Sequence, residues 1–181
     1  MDKIFFKPET SEYDKFYQTY MDYLPDELDI IGQLLTQKQI VLDFISSLTE
    51  DSALFSYAEG KWTIKEVLGH MIDTERVFSY RVLAISRGEQ QKLPGFEQDD
   101  YVINGKFNLR PLKSLSNEYE SLRNSNIALF RSFETGQLSR KGIASEKSVS
   151  VNALLFMLTG HELHHIKILR EKYKSFNNKT L

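Results

Sequence analysis

Apolar residues recur at spacings of three and four along four long segments, which is the period of an amphipathic helix. The first segment runs from about Asp26 to Leu48, directly after Pro25, a residue that suits a helix start. Its apolar stripe consists of Leu28, Ile31, Leu34, Leu35, Val41, Leu42, Ile45 and Leu48. We therefore predict a first long helix over this segment.

The second segment begins with a helix-capping motif. Residues 63–66, Thr-Ile-Lys-Glu, fit a capping box, in which a hydroxyl and a carboxylate accept hydrogen bonds from backbone N–H groups at the helix start. Gly88 is a suitable end for this helix. The stripe between them consists of Val67, Leu68, Met71, Phe78 and Val82.

Two further segments complete the set of long helices. The third starts near Pro111, which fits a first helical position, and continues to Gly136. The fourth starts near Ser150 and ends before the polar tail at residues 175–181. Four long amphipathic helices predict an all-α protein, a four-helix bundle that forms one domain over residues 1–181.

Two stretches lie outside this pattern of four helices. Residues 1–25 form an N-terminal extension, and aromatic residues recur at helical spacing between Tyr13 and Tyr23, so a shorter fifth helix is a candidate there. The connection from Glu89 to Arg110 is long, and such a loop is usually functional or packed over a surface. The sequence shows no clear run of alternating strands and no Gly-rich phosphate loop.

Composition narrows the class of protein. The 181 residues are 41% hydrophobic and 27% charged with a net charge of −2, a soluble globular balance without the basic surplus of a nucleic-acid binder. The absence of cysteine excludes disulfides, thiolate metal sites and a cysteine nucleophile. Residues 1–10 do not fit a signal peptide, and no stretch approaches the roughly 20 apolar residues of a membrane span. We expect a cytoplasmic protein that binds neither nucleic acid nor membrane.

All four histidines lie in the second and fourth predicted helices. His161 and His165 are four residues apart on the core-facing stripe, so their rings lie one above the other, and His70 lies beside the buried stripe of the second helix. Three neutral imidazoles can bind a divalent metal in a bundle core and leave one position open. We predict His70, His161 and His165 as metal ligands. His164 competes with His165 as the candidate ligand. The alternative for His70 is a core histidine that forms hydrogen bonds and binds no metal.

Residues 161–165 also satisfy H-E-x-x-H, the peptidase motif in which two histidines bind zinc and the glutamate is the general base. We disfavour a metallopeptidase because little sequence follows His165 to supply a third ligand and the predicted helices offer no sheet edge for a peptide. Asp73 and Glu162 are the candidate catalytic residues. For Glu162 and for Glu75, however, a solvated helix face is the favoured expectation.

The chain as a whole resembles a known family. Residues 57–76, YAEGKWTIKEVLGHMIDTER, are followed by LPGF at 93–96, DDYV at 99–102 and GHELHH at 160–165. These stretches resemble, in the same order, the signature of the DinB-like superfamily and its YfiT-type branch, whose N-terminal extension is similar to residues 9–26. The resemblance covers nearly the whole chain.

This resemblance implies a four-helix bundle, often a homodimer, with zinc or nickel held by histidines at the positions of His70, His161 and His165. Family members include thiol S-transferases that join a low-molecular-weight thiol such as bacillithiol to electrophiles, and a mycothiol-dependent isomerase. The expected function is therefore that of a metal-dependent enzyme, a thiol S-transferase or a related hydrolase. Its expected partners are a small thiol and an electrophilic small molecule.

The expected mechanism begins with a cation that holds the sulfur of the thiol as thiolate at neutral pH. The connection at residues 94–108 would then place the electrophile above it. Arg76, Arg81 and Lys106 could attract an anionic substrate, although charges on exposed helix faces are usually solvated. A non-catalytic metal-binding bundle is the alternative from another functional class.

Overall fold

The structure, a computed structural model, describes residues 5–173. Its α-helices are α1 (Gln18–Met21), α2 (Ile30–Ser46), α3 (Ile64–Ser86), α4 (Gln98–Gly105), α5 (Leu112–Arg131), α6 (Thr135–Leu138) and α7 (Val151–Lys172). Its strands are β1 (Phe5–Phe6), β2 (Glu27–Leu28), β3 (Lys141–Ala144) and β4 (Lys147–Ser150). The predicted tail at residues 175–181 lies outside the described residues.

Four helices form the bundle that the hydrophobic pattern predicts. Helix α3 packs against α5 and α7, and α2 packs against the same two helices, so α2 and α3 occupy opposite corners. The buried side chains facing each other across these contacts include Leu34, Phe44, Met71, Leu115, Phe130 and Leu158. The prediction of a four-helix bundle is thereby confirmed.

Side-chain caps fix where α3 and α7 begin. The Thr63 hydroxyl accepts from the Glu66 backbone N–H at 3.1 Å, and the Glu66 carboxylate accepts from the Thr63 N–H at 2.8 Å. This confirms the predicted capping box. At the start of α7, the Ser150 hydroxyl accepts from the Ala153 N–H at 2.9 Å. Such caps satisfy backbone donors that have no partner inside the helix.

The predicted limits of two bundle helices need correction. Helix α2 begins at Ile30 rather than Asp26, because Asp29 caps it through Gly32 N–H at 3.0 Å and β2 pairs antiparallel with β1 just before it. Helix α5 ends at Arg131 rather than Gly136, because the Ser132 N–H bonds back to carbonyls of the last turn. The residues beyond form the separate one-turn helix α6.

The connection between α3 and α5 contains structure that the sequence pattern did not predict. It includes α4 and a 3-10 turn at Phe107–Leu109. A methyl group on Gly69 would lie 2.3 Å from the Phe107 ring, so the absence of a side chain there lets this turn pack directly on α3. Strands β3 and β4 form a hairpin, also not predicted, that binds the connection through Leu93 N–H and the Ile143 carbonyl at 2.8 Å.

The N-terminal segment lies across α7. A methyl group on Gly160 would be 2.2 Å from the Tyr20 carbonyl oxygen, so this glycine is what allows α1 to approach so closely. The predicted fifth helix is only partly present, since α1 is a single turn preceded by 3-10 turns at Thr10–Glu12 and Lys15–Tyr17. Across residues 5–173, no helix has the length and apolar character needed to cross a membrane.

Candidate metal centre

Three histidines bring their ring nitrogens together inside the bundle. His161 Nε2 on α7 lies 3.0 Å from His70 Nε2 on α3 and 3.1 Å from His165 Nε2, one turn further along α7. All three side chains are buried. The structure thus brings together the three histidines that the sequence analysis selected as candidate ligands.

This arrangement fits a divalent cation. Imidazole nitrogens about 2.0–2.1 Å from a tetrahedral zinc ion lie roughly 3.3 Å apart, close to the observed separations. Burial lowers the pKa of His70 to about 4 and lowers the pKa of His161 and His165 well below the usual range, so the rings are neutral at pH 7. Neutral rings offer the lone pairs that a metal needs. Among residues 5–173 no fourth histidine or carboxylate joins the cluster, which would leave a coordination position for a ligand.

Aromatic rings surround the cluster on several sides. The Tyr20 ring stands edge-on to His161 with centroids 5.3 Å apart, and the Trp62 ring lies 4.7 Å from that of His70. The Thr74 hydroxyl, one turn after His70, lies 3.5 Å from its Nδ1. Within the described part of the chain, Nδ1 of His165 has no hydrogen-bond partner. Packing rather than hydrogen bonding therefore orients most of these rings.

His164 contacts the edge of the His165 ring, with centroids 5.2 Å apart, but brings no nitrogen to the cluster. Its Nδ1 lies 3.2 Å from the Tyr23 hydroxyl, and its ring packs against Tyr20 and Tyr23 in the N-terminal segment. The side chain is half-buried and takes no part in the cluster. The choice of His165 over His164 as the ligand stays a prediction.

Two cavities reach the histidine cluster from different sides. The first has a volume of about 270 Å³ and is bounded by His70 and His161 together with Tyr20, Phe78 and Glu97. The second has a volume of about 300 Å³, and the residues that bound it include Trp62, Asp99, His165 and Tyr173. The start of α4 stands between them, since Glu97 belongs to one and Asp99 to the other. Small molecules could therefore approach the cluster by two routes.

The glutamate of the H-E-x-x-H sequence points into the bundle, away from solvent. Glu162 is 3% exposed and Glu75 is 4% exposed, so the expectation that both are solvated is wrong. Both carboxylates bind Arg123, a residue of α5 that is itself fully buried. The sequence pattern could not show these two ion pairs, because Arg123 lies on a different helix from each glutamate and far from both along the chain.

Every N–H of the Arg123 guanidinium has an acceptor. Nε and Nη2 donate to the two Glu75 oxygens at 2.8 and 2.7 Å. Nη1 and Nη2 donate to the two Glu162 oxygens at 2.9 and 2.7 Å, and Nη1 also donates to the Leu34 carbonyl at 3.0 Å. The Tyr119 hydroxyl adds a hydrogen bond to Glu162 at 2.7 Å. This network ties all four bundle helices together.

Neither candidate catalytic carboxylate lines the cavities beside the cluster. Asp73 is half-buried on the α5-facing side of α3, where burial and the nearby Glu118 raise its pKa. The two oxygens of Glu162 are both engaged by Arg123. Glu97 is the carboxylate that does line the first cavity, and sequence reasoning missed it. Only a three-dimensional contact could reveal it, because the residue precedes α4 in a connection without periodicity.

The three basic residues that were considered for anion binding have different surroundings. Arg76 pairs with Glu118 at 2.7 Å, and Lys106 is exposed at the end of α4. Arg81 is buried at 2% exposure, which differs from the solvated helix face expected for it.

The fold and the site define a helical-bundle protein with a buried three-histidine cluster open to two cavities. The chain belongs to the DinB superfamily, whose sequence profile matches residues 33–169. A curated protein of Oceanobacillus iheyensis that carries the name of a metal-dependent hydrolase is 23% identical over 137 residues, 75% of this chain and 79% of that protein.

Solved structures share the fold across most of the chain. YfiT from Bacillus subtilis, described as a probable metal-dependent hydrolase with an unusual four-helix bundle topology, aligns with a TM-score of 0.72 and 15% identity over 94% of this chain and 93% of its own. The mycothiol-dependent maleylpyruvate isomerase aligns with a TM-score of 0.65 and 14% identity over 82% of this chain and 62% of its own. At such identities the likeness establishes the architecture alone.

Proposed function

We propose that this protein is a metal-dependent enzyme that joins a small thiol to an electrophilic small molecule. In this proposal His70, His161 and His165 hold a zinc or nickel ion. The observation that carries it is the convergence of three buried, neutral imidazoles at the inner end of two cavities. The relatives named as metal-dependent hydrolases and the mycothiol-dependent isomerase support metal and thiol chemistry on this fold.

A divalent cation at the cluster would stabilise the anionic form of a small ligand at neutral pH, which for a thiol is the nucleophilic thiolate. The protein supplies the neutral ligands, the shielding from water and the space for two substrates. The three imidazoles remain neutral because they are buried, and Tyr20, Phe78 and Trp62 limit the access of water to them. The two cavities offer separate places for a thiol and for its electrophile.

Thiol transfer is favoured over hydrolysis because it needs no general base next to the cluster. Hydrolysis of a small molecule is the second candidate, and Glu97 favours it, since a carboxylate that lines the first cavity could take up a proton. A metallopeptidase is disfavoured because Glu162 would first have to leave Arg123 and Tyr119. A purely structural metal site is disfavoured because such sites are normally closed by four protein ligands.

The first experiment measures metal content and thiol conjugation. Untagged protein should contain close to one zinc or nickel ion per chain, and metal-loaded protein should conjugate at least one thiol from a panel to 1-chloro-2,4-dinitrobenzene. His161→Ala should abolish both properties, whereas His164→Ala should keep both. A metal-loaded protein without conjugation or hydrolysis would instead support the non-catalytic bundle.

Carboxamide variants then separate the competing reactions. In thiol transfer, Glu97→Gln and Glu162→Gln should each keep most of the activity. Ester hydrolysis that disappears in Glu97→Gln would favour the hydrolase, and peptide cleavage that disappears in Glu162→Gln would favour the peptidase.

We further propose that the protein works in the cytoplasm as a homodimer. A chain without cysteine is consistent with a reducing compartment. Exposed apolar side chains such as Phe16, Ile103 and Leu109 offer area for a second copy.

A further inference from the structure

Arg81 on α3 is a buried guanidinium with neutral partners. Only 2% of the residue is exposed. Its Nη2 donates to the Pro94 carbonyl at 2.8 Å and to the Ser145 hydroxyl at 3.0 Å, and the Tyr17 phenol is a further polar neighbour. Among residues 5–173 no carboxylate lies within ion-pair distance of it. The positive charge of Arg81 is therefore buried without an opposite charge from the described chain.

Arg123 shows how the same protein treats another buried guanidinium. That residue is paired with two carboxylates, Glu75 and Glu162. A buried charge is unfavourable unless it is paired as well as hydrogen-bonded. Arg81 lacks the carboxylate partners that Arg123 has, and its other neighbours, including the Phe78 ring, are neutral.

A cavity beside Arg81 has the composition to hold an anionic ligand. It has a volume of about 250 Å³ and is lined by Arg81 and Arg76, by the side chain of Val77, and by the rings of Tyr80, Phe96 and Tyr101. No aspartate or glutamate lines it. Arg76 is partly neutralised by Glu118, so Arg81 is the main source of positive charge. Phe96 also lines the first cavity of the histidine cluster, so the two cavities share this side chain.

The turn that contacts Arg81 has an uncommon backbone. Ser145 and Glu146 form the two-residue turn between β3 and β4, and both have positive φ, 51° and 61°. Glycine or asparagine usually occupies such positions because a side chain is strained there. The Ser145 hydroxyl nevertheless holds Arg81 at the cavity, so this strained turn keeps the guanidinium in place.

We propose that this cavity is a binding site for a small organic carboxylate, with the carboxylate on Arg81 and an apolar or aromatic body against Tyr80, Phe96 and Tyr101. The N–H groups of Arg81 that Pro94 and Ser145 leave free can donate a charge-assisted hydrogen bond to a carboxylate, and the rings provide the apolar contact. The site requires neither a metal ion nor the thiol chemistry proposed above.

The test compares a carboxylic acid with its neutral amide. Binding of 3-phenylpropanoate and of 3-phenylpropanamide to the metal-free full chain would be measured by titration calorimetry at pH 7. We expect the acid to bind at least tenfold more tightly than the amide, with an affinity that falls as salt is added. Equal affinities for the two probes, or no binding of the acid, would overturn the proposal.

Substitutions at Val77 test whether the acid binds in this cavity while Arg81 itself is kept. Val77 precedes Arg81 by four residues on α3 and lines the same cavity, so Val77→Glu would place a carboxylate beside the guanidinium. This variant should raise the melting temperature above that of the matched Val77→Gln variant and should lose at least tenfold in affinity for the acid. Acid binding that is unchanged in Val77→Glu would place the site elsewhere and refute the assignment.

Arg81→Met provides a second variant, with folding checked by circular dichroism because the Pro94 and Ser145 partners are lost. The folded variant should no longer distinguish the acid from the amide. A retained tenfold preference for the acid would contradict the proposal.

Discussion

Glu162 accepts hydrogen bonds from both Nη atoms of Arg123, at 2.9 and 2.7 Å, from the second position of an H-E-x-x-H sequence. The neighbouring face of the same helix carries His161 and His165, whose Nε2 atoms meet that of His70. The five-residue motif is therefore divided between two environments. Its histidines belong to the candidate metal centre, and its glutamate belongs to the buried ion network that joins the bundle helices.

The Arg123 network should contribute strongly to stability. Arg123→Met would leave the carboxylates of Glu75 and Glu162 buried without a cation, and we expect the free energy of unfolding to fall by roughly 3–5 kcal/mol. Urea unfolding followed by circular dichroism measures this change. The control is Arg76→Met, which removes a partly exposed pair with Glu118 and should lower stability by less than about 1 kcal/mol. Similar losses in both variants would show that the buried network has no special role.

Metal affinity should depend on His165 and hardly on His164. His165→Ala removes one of three converging nitrogens, and we expect tight binding of zinc or nickel to be lost in a competition titration with a chromophoric chelator. His164→Ala removes ring contacts with Tyr20, Tyr23 and His165 but no nitrogen of the cluster, so it should keep the affinity within a few-fold of the unchanged protein. If His164→Ala alone lost the metal, the assignment of ligands would have to be exchanged.

Acid should destabilise the metal-free protein between pH 6.5 and about 4. The unfolded chain protonates His70 near its usual pKa of 6.5, whereas burial lowers the pKa of the folded residue to about 4. Within this window the unfolded state binds more protons, so the free energy of unfolding falls as the pH falls, by about 1.4 kcal/mol per pH unit for each such histidine. His161 and His165 act in the same direction. The effect is measured by urea unfolding in the presence of a chelator.

A variant isolates the contribution of His70 from that of other titrating groups. His70→Gln should show a shallower dependence of stability on pH over the same window. Parallel curves for the variant and the unchanged protein would contradict the assigned pKa shift.

The contact between Gly160 and α1 should be sensitive to a single methyl group. Gly160→Ala would place that carbon 2.2 Å from the Tyr20 carbonyl, so α1 must move away from α7. We expect a lower melting temperature and faster proteolysis within the N-terminal segment. Gly136→Ala is the matched control, since a methyl group there meets nothing within 4 Å. Equal behaviour of the two variants would indicate that α1 does not pack as described.

The proposed homodimer makes a prediction about mass in solution. Light scattering at micromolar concentration should give about twice the chain mass of 21.1 kDa. Leu109→Glu, which places a charge on a strongly exposed apolar position, should shift the equilibrium towards monomer if that face is buried in the dimer. A stable monomer of the unmodified chain would refute the dimer.

Local patterns explain why much of the fold could be predicted. The capping box at Thr63 and the spacing of His161 and His165 both depend on neighbours within one helical turn. The structure contains the capping box and places the two ring nitrogens close together. The environment of Glu162 could not be predicted in this way, because its partner Arg123 lies on α5 and only packing brings the two together. The same holds for Glu97, whose place in the first cavity depends on how the connection after α3 folds back.

The close approach of α1 to α7 at Gly160 also places N-terminal side chains beside the first cavity. Phe16, Tyr17 and Tyr20 contribute one wall of the first cavity, yet all three precede residues 33–169, the stretch that matches the family profile. The histidine cluster lies entirely within that stretch. We therefore expect that replacing this N-terminal wall with that of a relative would change what the first cavity accepts while leaving the three-histidine cluster in place.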